Sequence, residues 1–270
     1  MIFETACPDR VFKGTIRDKI TAGSMREEET KRVLGNRAFP EEEITGRKLV
    51  VHVCCAPDAT AVIEWLKPLA EKLVCYFYDP NIYPPEEYIK RLHEMRKLAE
   101  LWQVNMIEGR YFNAPMETVQ TDFVISEEEL LSRGEFNATP IAPVDELEQA
   151  LRKMMEGGSY NEVIEKLKAY AGEPEGGKRC AVCFDLRLSR TAGLCKILGF
   201  DAFLTTLTIS PKKNADQVNL AGEMAGKRVG AKYIWTNFKR REGFKRSVKL
   251  SKELGLYRQE YCGCKWSTGK

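Results

Sequence analysis

Apolar runs of strand length alternate along the chain with segments that carry apolar residues at helical spacing. Three early runs, rich in β-branched and aromatic residues, predict strands; they are KLVVHV from Lys48, KLVCYFY from Lys72 and VNMIEG from Val104. A helix is expected from about Asp58, and a second one between the last two runs, where apolar residues recur at steps of three and four. Those residues are Tyr88, Leu92, Met95, Ala99 and Trp102. Strands separated by helices favour right-handed crossovers and a parallel sheet.

The second half of the chain repeats this alternation. DAFLTTLTI from Asp201 and KYIWTNF from Lys232 predict two further strands, with a helix over residues 214–230 between them. The segment before them predicts a helix with one apolar face, which is formed by Cys180, Phe184, Leu188, Ala192, Cys195 and Leu198. The whole pattern predicts one α/β domain over residues 48–270, built on a Rossmann-like parallel sheet.

Two segments fall outside the alternation. Residues 1–47 are polar and charged without a clear apolar face, and we expect them to form an N-terminal extension. Residues near 113–172 are less regular but mostly helical in character, and DELEQALRKMM from Asp145 is the strongest stretch. They predict a helical insertion in the α/β domain.

Composition is that of an ordinary soluble globular protein, with 43% apolar and 30% charged residues. No apolar stretch approaches the ~18 residues of a membrane span, and the N-terminus lacks the pattern of a signal peptide. We therefore expect a cytoplasmic protein without a membrane partner. In a reducing compartment, nine cysteines indicate metal or redox chemistry more than disulfide bonds. The net charge of +3 is too small to predict nucleic-acid binding by itself.

Six cysteines fall into three short groups: Cys54 with Cys55, Cys180 with Cys183, and Cys262 with Cys264. In a helix, the second pair would lie one turn apart, so that both sulfurs can reach one metal. Gly263 gives the third pair the backbone freedom to converge in the same way. Six thiols exceed the needs of one tetrahedral zinc ion. They suit an iron–sulfur cluster, with ligands left for a second metal.

The other cysteines and both histidines are expected to have structural roles. Cys7 is isolated, whereas Cys75 lies in a predicted strand and Cys195 on the apolar face of a predicted helix, where cysteine packs as a small hydrophobe. His52 lies inside a predicted strand and should pack there, and His93 should be exposed. Two histidines are too few for a histidine-rich catalytic metal site.

Polar side chains that follow the first two strands admit two interpretations each. Asp58 is either the N-cap of the following helix or an oxygen ligand for a metal, three residues after Cys55. Asp79, Asn81 and Tyr83, in YDPNIYP, either form a turn or bind a ligand at the carboxyl edge of the sheet.

Five segments resemble the cobalamin-independent epoxyqueuosine reductases, the QueH family, over roughly residues 48–266; they are HVCCAPD, YDPNIYPPEEYIKR, KRCAVCFDLRLSRTA, FLTTLTISPKKN and FKRREGFKRSVKLSKELGLYRQEYCGC. The resemblance implies a fold like that of the adenine nucleotide α-hydrolase (HUP) relatives of PP-loop enzymes, with CCAP in place of their phosphate-binding SGG signature. It also implies a 4Fe-4S cluster, a nearby mononuclear iron and no cobalamin. Cys180, Cys183, Cys262 and Cys264 are the expected cluster ligands, and Cys54, Cys55 and Asp58 are further candidate metal ligands.

The chain departs from the family pattern at one position. The usual CCAPC reads CCAPD here, so that Asp58 replaces a cysteine. Either this position is not an obligatory ligand, or a carboxylate substitutes for a thiolate. Because six motif cysteines remain, the division of ligands between two metal centres stays open.

Members of this family complete queuosine biosynthesis by reducing an epoxide on the modified wobble guanosine of certain tRNAs. Converting an epoxide to an alkene consumes two electrons and two protons. No side chain supplies the electrons, so a metal centre has to relay them from a donor that the sequence does not identify. We expect Asp79 or Tyr83 to donate a proton or to position the cyclopentane diol of the substrate.

A basic run near the C-terminal end is the expected tRNA contact. Seven basic residues lie between Lys239 and Lys252. Phosphate binding by such a run makes RNA affinity sensitive to salt. The residues expected to bind phosphates are Lys239, Arg240, Arg241, Lys245 and Arg246. The alternative is an ordinary solvated surface.

Two other functions account for parts of the pattern. A non-catalytic, zinc-stabilised RNA-binding module explains the cysteines and the basic run but not the polar groups at the strand ends. A PP-loop tRNA thiolase requires ATP, and the chain lacks the loop that binds it. Colour separates the first two hypotheses, because anaerobically purified protein should be brown with an iron–sulfur cluster and colourless with zinc.

Overall fold

The structure is a computed structural model that describes residues 39–111, 123–133, 155 and 157–267. Its strands are β1 (Lys48–Val53), β2 (Lys72–Phe77), β3 (Asn105–Glu108), β4 (Val124–Ser126), β5 (Ala202–Thr205) and β6 (Lys232–Tyr233). In this part of the chain, all six pair in parallel in the order β4–β3–β2–β1–β5–β6. The predicted α/β class and the parallel sheet are confirmed.

Helices connect the strands and cover the sheet. They are α1 (Glu41–Ile44), α2 (Ala56–Leu66), α3 (Pro85–Trp102), α4 (Glu127–Arg133), α5 (Tyr160–Lys168), α6 (Lys178–Ile197), α7 (Ala215–Val229) and α8 (Gly243–Glu253). Short 3₁₀ helices occupy Thr206–Ile209, Phe238–Arg241 and Lys265–Ser267. No helix among the described residues is both long and apolar enough to cross a membrane.

The sheet separates two apolar cores. Leu49 and Val51 of β1 pack into one core with residues of α2, α3 and α8. Val50 packs into the other with residues of α6 and α7. A strand that is buried on both faces is apolar at successive positions, which is why β1 appears in the sequence as a continuous run and not as an alternation.

The predicted elements differ from the structure mainly at their ends. The strand predicted from Asp201 stops at Thr205, because the Thr205 hydroxyl accepts a hydrogen bond from the Leu207 amide (3.1 Å) and starts a 3₁₀ helix. The strand predicted from Lys232 pairs only over β6, at the edge of the sheet. β4 was not predicted at all.

Some predictions fall where the structure describes little. DELEQALRKMM lies outside the described residues except for Met155, and so do Cys7 and most of the predicted N-terminal extension. Within the predicted insertion, the described elements are β4, α4 and α5. Near the end of the extension, Ile44 of α1 is fully buried in the core with β1.

The order of the strands places a crevice at the middle of the sheet. β1 has β2 on one side and β5 on the other, and the chain continues outward from this point in both directions. At such a switch point, the loops after the two central strands separate and leave a ligand crevice at their carboxyl ends. Cys54 and Cys55 follow β1 there, and Thr206 follows β5.

Candidate metal centre

The end of β1 brings two thiols and one carboxylate to a common point. Cys54 and Cys55 follow the strand directly, and α2 begins at the next residue. Cys54 Sγ lies 3.9 Å from both Cys55 Sγ and Asp58 Oδ2. The three donor atoms lie within 4.8 Å of one another, and all three residues are buried. Such a group can offer a metal ion two sulfur ligands and one oxygen ligand.

Asp58 does not cap α2. The N-cap position belongs to Cys55, whose backbone is extended (φ −172°, ψ 156°). Asp58 lies in the first turn of the helix, only 5% exposed, with its carboxylate beside Cys54. The N-cap interpretation is therefore wrong, and the position is compatible with a ligand.

The other four motif cysteines line one open cleft of about 500 Å³, counting the space that opens to solvent. Cys180 and Cys183 lie in the first turns of α6, one turn apart as their spacing predicted. The Gly176 amide donates a hydrogen bond to Cys180 Sγ at 3.1 Å. Burial raises the pKa of Cys180 by more than this hydrogen bond lowers it, and burial also raises the pKa of Cys183 to about 11.

A tight turn presents Cys262 and Cys264 to the same cleft. Gly263 between them has φ +94°, which glycine adopts easily, and a Cβ there would lie 2.9 Å from Cγ1 of Ile82. The turn is held against the loop after β2 by an antiparallel bridge between Ile82 and Cys264 and by the Tyr83 amide, which donates to the Gly263 carbonyl at 2.7 Å. The conformational role predicted for Gly263 is confirmed.

A buried ion pair joins the end of β2 to α6 beside these cysteines. Asp79, 1% exposed, pairs with Arg187, which also donates to Asn81 Oδ1 at 2.7 Å. The Cys183 thiol lies 3.7 Å from the same oxygen. Burial raises the pKa of Asp79 to about 6, against the opposing effect of Arg187. Asp79 therefore lies at the site and carries a proton more readily than an ordinary aspartate does.

Two further cations lie near the thiols. Arg91 of α3 donates to the backbone carbonyls of Tyr261 (3.1 Å) and Cys262 (3.2 Å). Lys213 lines the cleft. Burial lowers the pKa of Lys213, but nearby negative groups, Cys54 and Cys262 among them, raise it by more. Because Cys54 and Cys262 both raise the pKa of Lys213, both groups of thiols lie near this cation, which offsets the negative charge of a thiolate.

In the Cys54–Cys55 pair and in the Cys262–Cys264 pair, one sulfur is favoured as the thiolate. A hydrogen bond with the Cys55 thiol lowers the pKa of Cys54, while burial raises the pKa of Cys55. A hydrogen bond with Cys264 lowers the pKa of Cys262 to about 4, and Ser267 contributes to this effect. Since metals bind thiolates, metal binding would displace the proton that each pair still holds.

The remaining predicted residues are not among those that line the cleft. Tyr83 is 37% exposed beside the turn at Gly263. Lys239 Nζ donates to the Lys213 carbonyl at 2.7 Å, which places the start of the basic run next to the cleft. Arg240 and Arg241 complete a short 3₁₀ helix there. The last two predicted phosphate ligands form ion pairs within the protein, Lys245 with Glu242 and Arg246 with Glu64.

Comparison with known proteins supplies the family. A family model described as "Epoxyqueuosine reductase QueH" matches residues 49–134 and 124–270. The chain belongs to the QueH family. The QueH protein of Streptococcus pyogenes serotype M1 is 35% identical over 226 residues, which are 83% of this chain and 71% of that protein. The QueH protein of Thermotoga maritima is 33% identical over 219 residues, 81% of this chain and 89% of that protein. The resemblance that the sequence motifs indicated is confirmed.

The sequence pattern did not reveal the cations around the thiols of this QueH chain. Arg187 follows Cys183 by four residues, a spacing that places two side chains on one helix face. The sequence could therefore have indicated that this arginine lies near the thiol. Arg91 directly precedes Leu92 in the apolar stripe of α3 and is only 2% exposed, and a buried arginine requires a partner. Lys213 lies in the turn before α7, where no periodicity marks it.

Proposed function

We propose that this chain reduces the epoxide of epoxyqueuosine in tRNA to the alkene of queuosine. Its membership of the QueH family makes it an oxidoreductase. The structural observation that supports the proposal best is the gathering of six thiols and a carboxylate at the carboxyl edge of the sheet. An epoxide offers an oxygen to be removed, and a reducing metal centre is the kind of group that removes it.

The donor set fits two metal centres. Cys180, Cys183, Cys262 and Cys264 would hold a 4Fe-4S cluster, which takes four thiolates. Cys54, Cys55 and Asp58 would hold a second iron, which a mixed sulfur and oxygen set suits.

The surroundings of Asp58 support this division. Every other buried carboxylate among the described residues pairs with an arginine, namely Asp79 with Arg187, Glu87 with Arg91, Glu108 with Arg96 and Glu127 with Arg190. Asp58 forms no ion pair within that part of the chain, and its carboxylate lies beside the Cys54 thiol. Lys213 is a cation near enough for Asp58 to raise its pKa, but no ion pair joins the two, so a metal cation at the Cys54–Cys55–Asp58 group would be the direct counter-charge of the carboxylate.

The reaction breaks both carbon–oxygen bonds of the epoxide, forms a carbon–carbon double bond and releases the oxygen as water. It takes up two protons, and two electrons from an external reductant. When bound, the iron centres would supply single electrons and a Lewis acid for oxygen.

The protein would contribute a proton source beside the cleft. Asp79 is the better-placed proton donor, because its burial raises its pKa to about 6 in spite of the neighbouring Arg187. Tyr83 lies further out, and its exposure suits contact with the part of the substrate outside the cleft.

The test is made on protein purified without oxygen. We expect a brown protein with iron, sulfide and an electron paramagnetic resonance signal after reduction. It should remove one oxygen from epoxyqueuosine in tRNA when a chemical one-electron reductant is present, as mass spectrometry of the digested nucleosides would show. A colourless protein that contains zinc and does not alter the nucleoside would instead support the RNA-binding module.

Cysteine variants on one helix provide the matched control. Cys180→Ser and Cys183→Ser should bleach the protein and abolish reduction, because each removes a thiolate ligand. Cys195→Ala, on the buried apolar side of the same helix, should keep its iron and lose only about 1–2 kcal/mol of unfolding free energy. Full iron and sulfide in both serine variants would refute the ligand assignment.

A further inference from the structure

Three aromatic side chains lie beside the turn that presents Cys262 and Cys264 to the cleft, and we call them the aromatic rim: Tyr83, Tyr261 and Trp266. The Tyr261 hydroxyl donates to the Tyr83 carbonyl, so two of them are tied together. Trp266 lies in the 3₁₀ helix Lys265–Ser267, which directly follows Cys264. The rim is therefore built on the same turn that presents two thiols to the cleft.

Tyr83 is more exposed than the other aromatic side chains of the described residues. Among the described residues, the large hydrophobic side chains that are exposed are Tyr83, Leu101 and Val248, so that Tyr83 is the aromatic one in this part of the chain. Pro84 and Pro85 follow it and restrict the backbone by their rings. The ring is thus held out on a stiff segment beside the cleft.

Cations accompany the aromatic rings. Lys265 Nζ lies 5.6 Å from the ring centroid of Tyr83, and the Arg179 guanidinium lies 5.9 Å from that of Trp266. Arg179 and the exposed Lys212 also line the cleft. Aromatic rings among cations are typical of surfaces that bind unpaired nucleotides, where bases stack and phosphates are neutralised. Protein interfaces, by contrast, are depleted of lysine.

We propose that Tyr83 and Trp266 stack on unpaired bases that flank the nucleoside in the cleft. The inference rests on the proposed function and adds a subsite for the RNA substrate. A nucleoside can reach buried sulfurs only if it is turned out of its loop, and this leaves its neighbours without a stacking partner. The aromatic rim would give these neighbouring bases a new ring to stack on.

The test measures binding of a fluorescent anticodon stem-loop RNA to the iron-loaded protein. We expect Tyr83→Leu and Trp266→Leu each to weaken binding by about fivefold or more, the lower end of what one stacked base contributes. Tyr83→Phe and Trp266→Phe keep an aromatic face and should bind nearly as the parent does. Leu101→Ala is the control, because Leu101 is exposed about 25 Å away along α3 and should change nothing.

A second measurement reports stacking directly. With 2-aminopurine placed beside the target position, fluorescence should be quenched by the parent protein and by the phenylalanine variants, and less by the leucine variants. Iron and sulfide contents should be equal throughout, which shows that the leucine variants are folded.

The possible failures are distinguishable. If the iron-loaded parent protein does not bind the stem-loop, the proposed function itself is wrong. If it binds and the leucine variants bind and quench equally well, the stacking proposal is wrong while the function stands. If those variants keep RNA affinity but lose turnover only with a protein electron donor, the rim is a docking site for that donor, and the stacking proposal is again overturned.

Discussion

Asp58 is a buried acid whose close neighbour is a thiol, whereas the other buried acids of the described chain have arginine partners. Lys213 is a nearby cation whose pKa Asp58 helps to raise, but it forms no ion pair with Asp58, so a metal ion would be the direct counter-charge of this carboxylate. A carboxylate is also a harder ligand than a thiolate and suits an iron that has to bind oxygen. The aspartate at this position thus gives the site a mixed donor set.

Substitution of Asp58 tests whether this residue binds a metal ion. Asp58→Asn keeps the shape but removes the charge, so we expect the protein to fold, to keep its sulfide, and to lose one iron and most of its turnover. Asp58→Cys restores a ligand and should retain some activity. The ratio of iron to sulfide and the rate of epoxide reduction are the measurements, with Asp185→Asn on α6 as the control. Full iron and full turnover in Asp58→Asn would show that Asp58 binds no metal.

His52 is a second buried group, and its protonation state affects the stability of the fold. Its Nε2 donates to the Tyr78 carbonyl (3.0 Å), and Nδ1 lies 2.9 Å from the Thr205 hydroxyl. Burial, with a contribution from Arg187, lowers its pKa to about 3. It therefore stays neutral in the folded protein and ties β1 to β5 and to the end of β2.

The low pKa of His52 predicts a pH dependence of stability. Below about pH 6.5 the unfolded chain binds a proton at His52 that the folded chain does not bind until about pH 3, so stability falls as pH falls through this interval. Urea unfolding of the parent and of His52→Gln measures the effect. From pH 7 to pH 5, the parent should lose about 2 kcal/mol more than the variant, which does not titrate. An equal loss in both proteins would contradict a neutral buried His52.

At the scale of elements, α6 carries the chemistry on one side and the core on the other. Cys180, Cys183, Arg187 and Arg190 recur at steps of three and four, and Phe184, Leu188, Ala192 and Cys195 follow their own stripe. The arginines continue the cysteine stripe inward, where Arg187 meets Asp79 and Arg190 meets Glu127. One helix thereby fixes two thiols relative to the strand ends through buried ion pairs.

The two ends of the basic run have different surroundings. Because Lys239 contacts Lys213 of the cleft, we expect the triple variant Lys239→Ala, Arg240→Ala, Arg241→Ala to weaken tRNA binding more than the double variant Lys245→Ala, Arg246→Ala. The triple variant should also flatten the dependence of log affinity on log salt, by about 0.9 or less for each phosphate that the protein no longer neutralises. Iron content should not change. Equal affinity of triple variant and parent at low salt would make the run an ordinary solvated surface.

At the scale of the molecule, the site lies where the strand order reverses. The sequence predicted this architecture because strands buried on both faces are apolar throughout, and because the cysteine groups follow strand or helix boundaries. It could not assign Asp58, whose role depends on which charged groups surround it in three dimensions. Nor could it identify Lys213, which approaches the thiols only through the packing of distant loops. The turn from strand to 3₁₀ helix after Thr205 was equally hidden, since one side-chain hydrogen bond decides it.

The six thiols come from three segments that are far apart along the chain and are therefore synthesised one after another. All six strands of the described sheet precede the turn at Gly263, so that Cys262 and Cys264 are the last of the six thiols to be synthesised. Iron offered to such a nascent chain would meet an incomplete set of ligands. The proposed centres could therefore be completed only after the turn at Gly263 has been made and has packed against the loop after β2.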